Sequence, residues 1–97
     1  MADLQFHPEA QIEYQAAFNW YGSRSLQAAT RFELELERVL AMIAANPDTF
    51  PQYDDDHRFA LLRRYPFCVI YQQRPDRIYV IAVAHTSRSS GYWQGRA

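Results

Sequence analysis

Close to the C-terminal end, His85, Arg88, Tyr92 and Trp93 follow one another with little apolar sequence between them. A histidine can move a proton near neutrality or bind phosphate. An arginine can pair through two N–H groups with a carboxylate or phosphate, and aromatic rings can stack on bases or on a protein partner. With Arg63, the set His85, Arg88 and Tyr92 contains groups suited to general acid–base work. Each residue also has a purely structural use. His85 can cap strand-end carbonyls or bond Tyr92, Arg88 can hold the tail through an ion pair, and Tyr92 and Trp93 can pin the tail to the domain. Arg63 and Arg64 are adjacent, so on a strand they point to opposite faces, one toward solvent or a partner. The two uses stand side by side at this level.

These residues sit where they do because of what precedes them. Ile78-Tyr79-Val80-Ile81-Ala82-Val83-Ala84 is an apolar run rich in β-branched and aromatic residues, which predicts a central strand buried on both faces. Such a strand delivers His85 and the following residues to a sheet rim, where sites are often built. Phe67 to Gln73 reads as a second strand, joined to it as a hairpin through the turn Arg74-Pro75-Asp76-Arg77. Arg58 to Arg64 reads as a third with a basic end, broken by Tyr65-Pro66. Near the start, Leu4-Gln5-Phe6 is a brief alternating segment.

Two helices lie between. Pro8 suits the first helical position and Glu9 the first turn. Ile12, Ala16 and Trp20 form one row of that helix, Ala17 and Tyr21 a second, and Gly22 stops it. Ser23 or Ser25 caps the next helix, in which Ala29, Phe32, Leu36, Val39 or Leu40, and Ile43 recur at three and four until Asn46-Pro47. A short Gly/Ser turn makes the pair an antiparallel hairpin whose apolar face covers the sheet. Pro47 to His57 reads as loop, and Asp54-Asp55-Asp56 within it as a solvated turn rather than a metal site. The order β-α-α-β-β-β predicts an α+β domain spanning residues 1–97, with the helical hairpin on one face of a small, mostly antiparallel sheet.

Composition narrows the class. The chain has 97 residues, 48% hydrophobic and 22% charged, as expected of a soluble globular domain. No apolar run nears the roughly 20 residues of a membrane span, and Met1-Ala2-Asp3 opens no export signal. One cysteine, Cys68, excludes an internal disulfide framework and fits a reducing cytoplasm and a place in the core. Histidine and cysteine are too sparse for a zinc site, and no cofactor is expected; His7 reads as a local cap and His57 as a loop residue. Charge is uneven. Three arginines face ten acids in residues 1–57, whereas seven arginines face Asp76 alone in residues 58–97, and there is no lysine. That asymmetry predicts either an anion-seeking face or two halves that neutralise one another in the fold.

The succession Phe6-His7-Pro8-Glu9-Ala10, an acidic second helix, Phe67-x-Val69-Ile70-Tyr71, and Ile81-Ala82-Val83-Ala84-His85-x-x-Arg88-x-x-x-Tyr92-Trp93-x-x-Arg96 resembles toxins of the RelE/ParE superfamily of bacterial type II toxin–antitoxin systems. The resemblance implies a β-α-α-β-β-β fold, a cognate antitoxin in a hetero-oligomeric complex, and a role such as plasmid stabilisation. It implies one of two toxic activities. RelE-like members cut messenger RNA on the ribosome without metal, using strand lysines and arginines plus a C-terminal arginine and tyrosine. ParE-like members inhibit growth by binding DNA gyrase. The positions matching the RelE strand lysines hold Phe59 and Leu61, its strand arginine falls at Cys68, and a C-terminal basic position falls at Thr86. Only Tyr92, with Arg88 as a neighbouring basic residue, matches. The resemblance is therefore closer to ParE-like members, with Arg63, Arg64, His85, Arg88, Tyr92 and Trp93 as target-binding candidates. The alternatives are an endoribonuclease with a rearranged site built from His85, Arg88, Tyr92 and Arg63, or a non-toxic structural member of the antitoxin complex.

Overall fold

The apolar run forms an interior strand in the computed structural model, which describes residues 3–97. Met1 and Ala2, on which the expectation of no export signal partly rests, lie outside the described residues. The elements are β1 (Leu4–Phe6), α1 (Pro8–Gly22), α2 (Leu26–Ala45), a 3-10 turn (Pro47–Thr49), β2 (Arg58–Leu61), β3 (Phe67–Arg74) and β4 (Arg77–His85). The sheet order is β1-β4-β3-β2, with β1 parallel to β4 and the other pairs antiparallel. This is the expected α+β order, closed by one parallel strand.

Both faces of β4 are covered, by different material. Ile78, Val80 and Val83 pack with Phe32, Leu36, Val39 and Ile43 of α2. Ile81, Ala82 and Ala84 pack on the opposite face with Ile70 and Trp93. Strict alternation would put Val80 and Val83 on opposite faces. A β-bulge resolves this: Val80 pairs with Tyr71 and Ala82 with Ile70, so Ile81 is an extra residue in β4. The bulge turns Val83 and His85 toward the helices, where Phe67 meets the His85 ring edge-on at 5.0 Å.

The helices begin as their sequences suggest. His7 Nδ1 accepts from the Glu9 amide at 3.0 Å, with Pro8 at the first position. Ser25, rather than Ser23, caps α2 by accepting from Ala28 N at 2.9 Å. The buried row of α1 is Ala10 and Ala17, with Tyr14 and Tyr21 packed beside it. The row Ile12, Ala16 and Trp20 faces outward, with Ile12 59% and Trp20 52% exposed.

A second correction concerns Arg63 and Arg64, expected on a strand. β2 stops at Leu61, and Leu62 N donates to Phe67 O at 3.0 Å to close a turn. Arg63 N leaves the ladder and donates to the Glu35 carboxylate of α2 at 2.6 Å. Arg64 then takes a left-handed conformation, φ 67. The two arginines therefore occupy a turn and not opposite faces of a strand.

Candidate functional site

Where β1 ends, β4 continues without a neighbour on that side, and its free backbone groups need partners. His7 N donates to Val80 O at 2.8 Å. Beyond that, side chains take over. Val83 N donates to Glu13 Oε1 at 3.0 Å, and Arg96 Nη1 donates to Ile81 O at 3.0 Å. An acid from α1 and an arginine from the tail thus finish an incomplete strand edge.

Glu13 is the hub of the C-terminal tail. Its Oε1 also accepts from Arg96 Nη1 at 3.1 Å, and its Oε2 accepts from Arg96 Nη2 at 3.0 Å and from the Tyr92 hydroxyl at 2.7 Å. Arg88 Nη1 lies 3.6 Å from the same oxygen, and its guanidinium stacks 3.7 Å above the Tyr92 ring. Burial, and then the bond to Glu13, push the Tyr92 phenol well above its ordinary value. Tyr92 therefore keeps its proton and spends it on Glu13. Glu13 carries no apolar or motif signal. The signal that could have found it is positional, since a carboxylate between Ala10 and Ala17 on the inward side of a helix demands a partner.

His85 ends β4 with its ring half-buried. Ser87 N donates to His85 Nδ1 at 3.1 Å, and Ser87 Oγ lies 2.6 Å from the same nitrogen. A backbone amide can only donate, so Nδ1 is the acceptor and the neutral ring carries its proton on Nε2. His85 and Arg88 stand at the mouth of an apolar hollow of about 410 Å³, walled by Ala16, Trp20, Tyr21, Phe67 and Val83. On the other face of the sheet, His85, Arg88 and Tyr92 also border a hollow of about 220 Å³ over Phe59, Leu61 and Cys68. Burial pushes the Cys68 thiol up, so it is held as an unreactive thiol.

The remaining candidates separate from this group. Trp93 is 3% exposed, with its ring 4.7 Å from His57 and 4.9 Å from Tyr53, and it packs under the sheet as a tail anchor. Its ring is used mainly within the domain, with one edge on the hollow bordered by His85, Arg88 and Tyr92. Arg63 and Arg64 line a separate hollow beside α2. Asp54 turns inward, its Oδ1 accepting from His57 Nδ1 and from the Asp56 and His57 amides, while Asp55 and Asp56 stay exposed. Among the described residues, no three His, Cys, Asp or Glu side chains converge as a metal site would require.

Chemically, the β4 rim presents two donors, the His85 Nε2–H and the Arg88 guanidinium, beside an exposed apolar helix row. The tyrosine that an acid–base mechanism would call on is already bonded. The arrangement suits recognition of a partner with apolar and anionic groups.

Comparison with known proteins bears on the whole chain. The family model described as "ParE toxin of type II toxin-antitoxin system, parDE" matches residues 4–90. No curated protein matches the sequence. Among solved structures, the chain is similar to one described as the chromosomal ParDE toxin–antitoxin system from P. aeruginosa, with a TM-score of 0.75 at 16% identity, covering 90% of this chain and 98% of that one. At that identity the likeness speaks for the fold.

Proposed function

This chain belongs to the ParE toxin family of type II toxin–antitoxin systems, and from that premise we propose that it inhibits growth by binding DNA gyrase and is neutralised by a cognate antitoxin. The observation that carries the binding reading is the Tyr92 hydroxyl, which donates to Glu13 at 2.7 Å and so is engaged in holding the tail. Cleavage of RNA needs a group to take the 2′-proton, another to protonate the leaving oxygen, and cations for developing charge. Here Arg63 belongs to a different hollow from His85 and Arg88, and the sheet positions that would carry the cations hold Phe59, Leu61 and Cys68. A recognition surface asks less, and His85, Arg88 and the stacked ring of Tyr92 supply donors and an aromatic face.

Exposed apolar surface supports a place for the antitoxin. Ile12 and Trp20 stand out from α1 beside the hollow under Phe67 and Val83. An antitoxin segment packed across the helical hairpin and the β4 rim buries this row and covers His85 and Arg88 together. Neutralisation is then direct occlusion of the target-binding groups.

The test is a pulse-label after induction without antitoxin, following thymidine and methionine incorporation over the first minutes. Thymidine falling first, with filamentous cells, is expected. Methionine falling first would instead point to the ribosome and messenger RNA, and would make His85 and Arg88 candidate catalytic groups. Arg88→Ala should relieve the arrest while the protein keeps its fold by circular dichroism. Full toxicity in that folded variant would remove Arg88 from the surface.

A further inference from the structure

A second concave surface lies beside α2, where the turn between β2 and β3 meets its outer face. This hollow, about 460 Å³, is lined by Arg31, Leu34, Arg38, Arg63, Arg64 and Tyr65 around Glu35. Four arginines and one acid share a small area. The acid is fully used. Arg38 donates to Glu35 through Nε at 2.7 Å and Nη2 at 2.8 Å, and the Arg63 amide donates to the same carboxylate at 2.6 Å. The Arg38 guanidinium holds the Glu35 carboxyl below its ordinary range, against the effect of its partial burial. Among the described residues, no carboxylate lies within ion-pair distance of the Arg31, Arg63 or Arg64 guanidinium, and all three residues are exposed.

We propose that this hollow docks an acidic segment of the antitoxin, with carboxylates reaching Arg31, Arg63 and Arg64 around an apolar side chain seated on Leu34. The inference rests on the toxin–antitoxin reading above. Two details support this occupant. Leu34 is 65% exposed in the middle of the cluster, an apolar anchor that a peptide side chain can cover. Guanidinium forks match carboxylates through paired hydrogen bonds, and the chain uses arginine exclusively for its cations.

Backbone geometry points the same way. Arg64 sits at φ 67, a conformation that costs a side-chain-bearing residue energy and is kept only where the surroundings enforce it. Glu35 takes the Arg63 amide one residue earlier, and the turn displays two adjacent arginines. The apolar hollow is its neighbour. Tyr65 borders the arginines, and its ring meets that of Tyr21, a wall of the first hollow, at 5.4 Å. One extended antitoxin segment can therefore run from Trp20 across Tyr65 to Arg31.

The experiment uses full-length toxin and its antitoxin, with affinity measured by titration calorimetry at low and high salt. The doubly substituted Arg31→Glu/Arg64→Glu toxin is expected to lose at least tenfold in affinity at low salt, with the gap narrowing at high salt. A loss smaller than tenfold overturns the proposal, as does unchanged antitoxin affinity with lost growth arrest, which would assign the hollow to the target. If charge reversal prevents folding, Arg31→Ala/Arg64→Gly is judged by the same threshold. Growth arrest by the unsubstituted toxin is scored separately. Its absence would sink the toxicity reading while leaving the antitoxin affinities to decide this site.

Discussion

Glu13 shows how a single buried carboxylate can organise a terminus. It satisfies the Val83 amide and the Tyr92 hydroxyl, which would otherwise lack an acceptor in a half-buried place, and it shares the Arg96 guanidinium with Ile81 O. Removing one partner of such a network costs more than the network is worth relative to apolar packing, because the donors left behind stay desolvated. Glu13→Ala should therefore lower stability by about 2–4 kcal/mol. The loss is read from the denaturant midpoint, with increased proteolytic cleavage C-terminal to His85. A change below about 0.5 kcal/mol, the size of an ordinary surface substitution, would mean the tail is held by Trp93 alone. Arg96 belongs to this account as a positioning residue. Its guanidinium joins tail, α1 and strand edge, and Arg96→Ala should free the tail in the same assay.

At the level of elements, the turn between β2 and β3 carries the clearest strain. Arg64→Gly removes the left-handed penalty of roughly 1–2 kcal/mol, while glycine's greater freedom in the unfolded chain returns up to about 1 kcal/mol. Stability should stay level or rise slightly in thermal melts; a drop would show that the Arg64 side chain makes contacts that outweigh the strain. Element order was readable because periodicity and punctuation agreed: Pro8, Ser25 and Asn46 bound the helices where expected, whereas Gly22 is the last helical residue without the left-handed turn of a glycine stop, and Ser23 caps α1. The inward row of α1 was not readable. Ile12-Ala16-Trp20 and Ala17-Tyr21 are both apolar, and the choice was made by Glu13 and by the small Ala10 and Ala17, which allow close approach to β4. The bulge at Ile81 was equally hidden, since a uniformly apolar run looks the same with or without an extra residue. It nevertheless sets which face His85 takes. Of the candidate site, His85, Arg88 and Tyr92 were recovered as neighbours, while Trp93 and the two adjacent arginines went elsewhere for reasons of burial and a backbone bond to Glu35.

Across the whole molecule, the acidic and basic halves do interlock, through Glu13 with Arg96 and Arg88, yet they do not cancel. Arg31 from the first half joins Arg63 and Arg64 from the second in a cluster whose one carboxylate, Glu35, is taken up by Arg38 and the Arg63 amide. Tyrosine, more than histidine, ties distant parts of the fold together. Tyr71 is fully buried and its hydroxyl donates to Pro47 O at 2.6 Å, fixing the 3-10 turn to the sheet. Burial pushes its phenol up to about 12, and burial with the nearby Glu37 and Glu33 carboxylates pushes Tyr14 up to about 12 as well. A phenol whose folded value is raised contributes stability that is complete below the unfolded value of 10.0 and is lost as pH climbs through the folded one. Above pH 10 the unfolded chain releases these protons first, so stability should fall between about pH 10 and 12. Denaturant midpoints measured at pH 9, 10, 11 and 12, alongside phenolate absorbance, check this. Tyr71→Phe should be less stable near neutrality for want of its bond to Pro47 but should decline less steeply with alkali. An equally steep decline in that variant would assign the alkaline transition to other groups.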